Sequence, residues 1–254
     1  MKILALEFPP VEHLFIWPDF AFDGTPVAIN KTVVIYLLAM ILTGGLFIWA
    51  GARKQMVPTG ITQVAEGGIN FVQTSIVDQT MGPDGKKYVP FLTTMFFFIF
   101  FVNIFEVIPF MQFPGSARMA MPLALAIMVW CIYNFLGIKH QGLGGYLKNS
   151  LFPPGVPVAL YVIVTPIEFF SVFIIRPLSL AIRLWANMVA GHLLLVTFAV
   201  LSATLWESTY IAFILPYTML ILMTGFEILV SFLQAFIFTI LTAVYMGGAI
   251  HPEH

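Results

Sequence analysis

The sequence predicts an all-α membrane protein of about five to six helices. Three are upright spans, one is an amphipathic surface helix, and two are long C-terminal segments, either tilted helices or helical hairpins. Two observations carry the prediction. Of 254 residues, 60% are hydrophobic and only 9% are charged, against about 25% charged in an ordinary soluble domain. Uncharged runs also recur at the roughly 20 residues that a helix needs to cross a ~30 Å hydrocarbon core.

The elements follow in order. A tail at 1–28 is expected outside the cytoplasm, and 29–254 form one membrane domain. The opening MKILALEFPP is too short and too soon interrupted for a signal-peptide core, so the first span is expected to insert the chain itself. Spans are predicted at 32–52, 89–111 and 119–138. Between the first two, apolar residues recur at Ile61, Val64, Ala65, Ile69, Val72 and Ile76. That helical spacing predicts a surface helix over about 60–80, followed by a turn at GPDG, 82–85. The segments 158–206 and 208–248 are each about twice the length of one span. Each is a hairpin or a long tilted helix, and Pro177 and Pro216 could kink either.

Arg53, Lys54, Lys86, Lys87, Lys139 and Lys148 all fall on one side if the spans alternate, against Lys2, Lys31 and Arg118 on the other. The bias puts the N-terminus outside, with a bacterial inner membrane as the simplest setting. The net charge of -1 argues against a nucleic-acid surface. Cys131, the single cysteine, excludes an intrachain disulfide and a cysteine metal cage. No internal repeat is evident, which counts against an inverted-repeat transporter.

Ionisable residues at mid-membrane cost about 2.5–3.5 kcal/mol each on insertion scales, so they mark functional positions. The C-terminal half holds Glu168, Arg176, Arg183, His192 and Glu227, with Asn187 and Gln234 beside them. Glu168 and Arg176 could equally sit at an interface, Arg176 by snorkelling. Arg183 lies seven residues deeper in the same apolar run. At about 100° per residue, Arg183 and Asn187 share a face and His192 projects to the opposite one. Glu227, Ser231 and Gln234 form one polar stripe at i, i+4 and i+7. Imidazoles and buried carboxyls both exchange protons near neutral pH, whereas a guanidinium keeps its charge. The pattern is that of a proton relay beside a fixed cation.

RPLSLAIRLWANMVAGHLL at 176–194 and LQAFIFTILTAVYMGGAI at 233–250 resemble the two signature runs of ATP synthase subunit a, and the likeness extends from about residue 30 to the C-terminus. The resemblance implies that Arg183 is the stator arginine facing the carboxylates of the rotating c-ring, with Asn187 and Gln234 near the ring. It implies that His192 and Glu227 lie on the proton access path; many relatives carry the acid first and the imidazole second, and here the two are exchanged. Such an exchange suits side chains that meet in space. Trp185 and Ala186 stand where Phe and Gly are common. Ser231, Tyr245, Glu168 and Arg176 are second-tier candidates, and Glu106 and Glu168 match no position.

The family's last two helices lie tilted against the ring, which favours tilted helices over hairpins. The implied function is a stator with two proton half-channels separated by Arg183, coupling translocation to ATP synthesis. The implied partners are the c-ring, subunit b with the peripheral stalk, the whole F-type complex and membrane lipid. No cofactor, metal, catalytic residue or nucleotide site is expected, since no Walker loop is present. Two rivals follow from the residues alone: an unrelated polytopic transporter or channel with Arg183 as its substrate site, and an intramembrane enzyme. The second lacks a His-Glu-x-x-His motif and paired intramembrane aspartates. Sodium coupling stays open, because the ring would bind the ion.

Overall fold

The computed structural model of the chain describes residues 30–53, 59–109, 111–152, 157, 160–208 and 211–250. The expected tail at 1–28 lies outside them. No strand occurs among the described residues. Five helical stretches are long and apolar enough to cross a membrane: Lys31–Ala52, Gly82–Ile104, Ala120–Leu151, Tyr161–Trp206 and Ile214–Ile250. The chain is an all-α membrane protein.

Helix α1, Lys31–Ala52, starts where the Asn30 side chain accepts the Val33 N–H at 3.1 Å, satisfying one of the donors a helix start leaves over. Its buried line is Thr32, Ile35, Ala39 and Thr43, while Met40, Ile41 and Ile48 stay exposed. Such exposure suits a lipid-facing flank, where apolar surface carries no penalty.

Helix α2, Ile61–Val72, runs into a π turn at Gln73–Val77 and the short α3, Asp78–Thr80. Its buried line is Thr62, Ala65, Val72 and Ile76, and Ile61 and Val64 are exposed. Ala65, Val72 and Ile76 belong to the oily face predicted, and Thr62 is buried in place of Ile61. The GPDG turn is the start of a 3₁₀ segment, Gly82–Tyr88, which feeds α4, Val89–Ile104.

Helix α4 stops short of the expected end at 111. Turn hydrogen bonds from the Glu106 and Val107 N–H groups to the Asn103 and Ile104 carbonyls, both 3.1 Å, close it. Pro109 follows, and a proline disfavours helical geometry at the residue before it. Helix α5, Ala120–Leu151, is two helical pieces joined across a break at Gly142, where φ is 73° and ψ is 160°. Only glycine adopts such a conformation cheaply.

Helix α6, Tyr161–Phe170, a π turn at Ser171–Ile175 and α7, Arg176–Ser208, follow one continuous helical path. Helix α8 is Ile214–Ile250. Neither long segment reverses among the described residues, so the hairpin alternative falls. At 1.5 Å per residue, the 46 residues of Tyr161–Trp206 extend about 69 Å, roughly twice the hydrocarbon thickness. Pro216 does not kink α8. It lies in the first turn, where its missing N–H had no partner to lose.

Two compact units divide the chain, each cutting across several helices. One draws on the described parts of Met1–Gly44, Phe98–Arg118 and Trp185–Gln234; the other on those of Gly45–Phe97, Met119–Leu184 and Ala235–His254.

Candidate functional site

The first unit holds a buried polar cluster built by three helix segments. The end of α4 supplies Asn103 and the turn after it Glu106, α7 supplies His192, and α8 supplies Glu227 and Ser231; all five are buried. His192 Nδ1 and Glu106 Oε1 share a hydrogen bond of 3.2 Å, with the Glu106 side chain fully enclosed. Which atom donates depends on the imidazole tautomer and on the protonation of the acid. Phe113 packs edge-on to the His192 ring, with centroids 6.4 Å apart.

Glu227 reaches the same helix one residue earlier. A Cβ at Gly191 would collide with Glu227 Oε1, and its Cδ would lie only 2.6 Å away. Gly191 is thus the notch that admits the carboxyl. Glu106 and Glu227 lie within electrostatic reach of each other. The second oxygens of both acids, the Ser231 hydroxyl and the Asn103 amide nitrogen find no hydrogen-bond partner among the described residues. Buried polar atoms in that condition are costly to keep, and so many together mark a site rather than a packing accident.

A loop closes over the cluster. Phe113–Ala117 is wholly buried, unusual for a connection, and its backbone groups are met by side chains. Tyr36 Oη donates to the Gly115 carbonyl at 2.7 Å, and Trp185 Nε1 donates to the Ala117 carbonyl at 2.8 Å. The Ser116 hydroxyl donates to Asn103 Oδ1. Trp185, read from sequence as a packing variant, is thereby also a hydrogen-bond donor.

The exchange of acid and imidazole suggested that His192 meets Glu227. Glu227 lies against the neighbouring Gly191, and His192 bonds Glu106, a residue matched to no role in the sequence. The signal that could have found it was its position three residues beyond Asn103 in an otherwise apolar run. Gln234 is buried at the end of the same α8 stripe as Glu227 and Ser231.

Arg183 and Asn187 are exposed on α7, while Leu180, Ala181, Leu184 and Met188 are almost fully buried. Arg183 makes no ion pair with any described residue. The Arg176 guanidinium, half-buried, sits 5.5 Å from the centre of the Tyr245 ring, a cation–π contact, and Tyr133 packs against Tyr245 at 5.8 Å. Glu168 is half-buried and joins no ion pair among the described residues. Those residues hold no group of three or more His, Cys, Asp or Glu able to bind a metal.

Fold and site define a polytopic membrane protein that buries titratable side chains between helices and carries an exposed arginine on a membrane helix. Residues 32–247 match the ATP synthase A chain family. The ATP synthase subunit a of a Parafrankia species (strain EAN1pec) is 42% identical over 236 residues, covering 91% of this chain and 80% of the relative. That of Rhodococcus erythropolis is 38% identical, covering 94% and 89%, and that of Maricaulis maris is 36% identical, covering 96% and 98%. The chain belongs to the ATP synthase A chain family, and is an integral membrane component of the proton-translocating part of the F-type complex.

Proposed function

We infer that the chain is the non-catalytic stator against which the c-ring turns, forming two proton half-channels and coupling proton flow to ATP synthesis on other subunits. It sits in a bacterial inner membrane with the N-terminus outside. Residues 29–254 form the membrane domain, Ile61–Thr80 lies along the membrane surface, and the two long C-terminal helices are tilted. The c-ring, subunit b and the peripheral stalk are its partners.

The observation that carries this reading is Arg183. A guanidinium exposed on the flank of a membrane helix, with no acid paired to it among the described residues, calls for an anionic partner on another molecule. A ring carboxylate meets that requirement. Arg183 favours the ionised form of such a carboxylate and opposes a proton leaking straight between the half-channels.

The inner cluster supplies the access side. A proton from outside passes among Glu106, His192 and Glu227, whose unsatisfied oxygens and neighbouring Ser231 hydroxyl can accept it in turn. It then neutralises a ring carboxylate near Asn187 and Gln234. After rotation the carboxylate loses the proton to the second half-channel, for which Arg176 and Tyr245 are the candidate lining residues. Glu168 is the remaining second-tier candidate. Each charge moved through 100 mV gains about 2.3 kcal/mol.

The test is Arg183→Ala in the whole complex, assayed in inverted membrane vesicles. Proton-driven ATP synthesis is expected to vanish with the complex still assembled. Synthesis at the normal rate would remove the assignment. Synthesis that depends on added sodium in the parent complex would reassign the ion.

A further inference from the structure

Pro177 leaves a defect in the helix that carries Arg183, and a single tyrosine hydroxyl repairs it. Within the π turn, the Arg176 N–H donates to the Ser171 carbonyl, a closure one residue longer than in an α-helix. The Val172 carbonyl is then stranded. Its ordinary donor, four residues on, is the N–H already used by Ser171. Its π-type donor, five residues on, would be Pro177, which has no N–H. Val172 is only 3% exposed, so water does not readily serve it. Tyr133 on α5 does: its hydroxyl donates to the Val172 carbonyl at 2.7 Å. Tyr133 is 2% exposed and is backed by the Tyr245 ring, itself capped by the Arg176 guanidinium.

The repair has a consequence downstream. A π turn of five residues rotates everything after it by roughly one residue, about 100°, relative to an uninterrupted α-helix. The rotation determines which side of α7 is buried. As the helix stands, Leu180, Ala181 and Leu184 face inward and Arg183 is exposed. We propose that Tyr133 is a positioning residue: by supplying the donor that Pro177 cannot, it holds the π turn and so aims Arg183 outward, toward the ring. The proposal rests on the reading of Arg183 as ring-facing.

The test measures rotation directly. In a Cys131→Ser background, single cysteines are introduced from Ala186 to Leu194 and cross-linked, in the assembled complex, to a cysteine on the c-ring. The parent pattern should peak on the Arg183 side, at Ala190. Tyr133→Phe keeps the ring and removes the hydroxyl. It should move the peak to a neighbouring residue and lower ATP-driven proton pumping per assembled complex about fivefold or more. Tyr146→Phe is the control, since that hydroxyl bonds Asn134 across the Gly142 break, within α5 itself; it should leave the peak in place.

A merely structural role for Tyr133 would reduce the amount of assembled complex without shifting the peak, and an unshifted peak overturns the proposal. If Tyr133→Phe does not assemble, the double variant Tyr133→Phe/Pro177→Ala decides the matter. Replacing the proline restores an N–H at that position, so the helix can close conventionally and the Arg176 N–H can serve Val172. That variant should assemble, whether residue 177 serves Val172 in the π turn or the Arg176 N–H serves it in an α-helix, and failure to assemble overturns the proposal. Absence of ring cross-links at every position in the parent would instead sink the ring-facing reading of Arg183.

Discussion

Replacing Gly191 with alanine tests whether the position of the Glu227 carboxyl matters more than its presence. The added Cβ would lie 2.6 Å from Glu227 Cδ, and ordinary contact begins near 3.4 Å. The carboxyl must therefore retreat by at least about 0.8 Å, and further at Oε1, which lies closer still. The clash is with the flexible end of a side chain, so the stability cost should fall at the low end of the 1–3 kcal/mol typical of overpacking. The functional cost should be larger, because a misplacement near 1 Å in a transfer geometry can lower a rate about a hundredfold. Stability and activity should thus separate.

The assay pairs thermal denaturation of the purified complex with ATP-driven proton pumping in inverted vesicles. Gly191→Ala should assemble, melt within a few degrees of the parent and pump one to two orders of magnitude more slowly. Glu227→Asp withdraws the carboxyl by one methylene, so in the Gly191→Ala background it should recover part of the loss. Parental pumping by Gly191→Ala would refute the notch, and with it the placement of Glu227 against α7 as a working contact.

Trp185→Phe removes the indole donor to the buried Ala117 carbonyl and should cost about 1–3 kcal/mol, read as a lowered melting temperature in detergent. The exchange His192→Glu/Glu227→His would set a carboxyl against Glu106, the observed partner of His192. Like charges repel at that range, so the exchange should pump no better than His192→Glu alone, and recovery to parental rates would show that His192 and Glu227 are the true pair.

Much of the architecture was legible because it depends on local properties. Run length and the scarcity of charge marked every membrane helix, and polarity within those runs marked Arg183, His192 and Glu227. The details that were not legible depend on partners distant in sequence. Glu106 is 86 residues from His192, and no periodicity in either helix links them. Pro177 was readable as a disturbance, but its outcome was not. Whether a proline kinks a helix or widens it into a π turn depends on what satisfies the freed carbonyl, here Tyr133, 39 residues earlier. Likewise the buried stripe of α2 cannot be phased to one residue from its own pattern, because Thr62 and Ile61 are both compatible with it.

The two costly features of this chain are resolved in opposite ways, and the difference bears on why it works only in a complex. Inside the first unit, an acid and an imidazole offset each other's burial by a shared hydrogen bond, and a second acid lies close by. Removing one member of such a pair is penalised heavily, so the cluster is tied to the fold of this chain. On the flank of α7, Arg183 has no such counterpart among the described residues, and a charge in the membrane costs at least about 2.5–3.5 kcal/mol. Among the described residues no acidic side chain relieves it, and a partner carrying carboxylates can. The relief should also be reversible, since the guanidinium cannot lose its own charge and the partner's acid can lose or gain a proton. A contact whose strength depends on protonation of the other surface is what couples proton passage to movement of that surface.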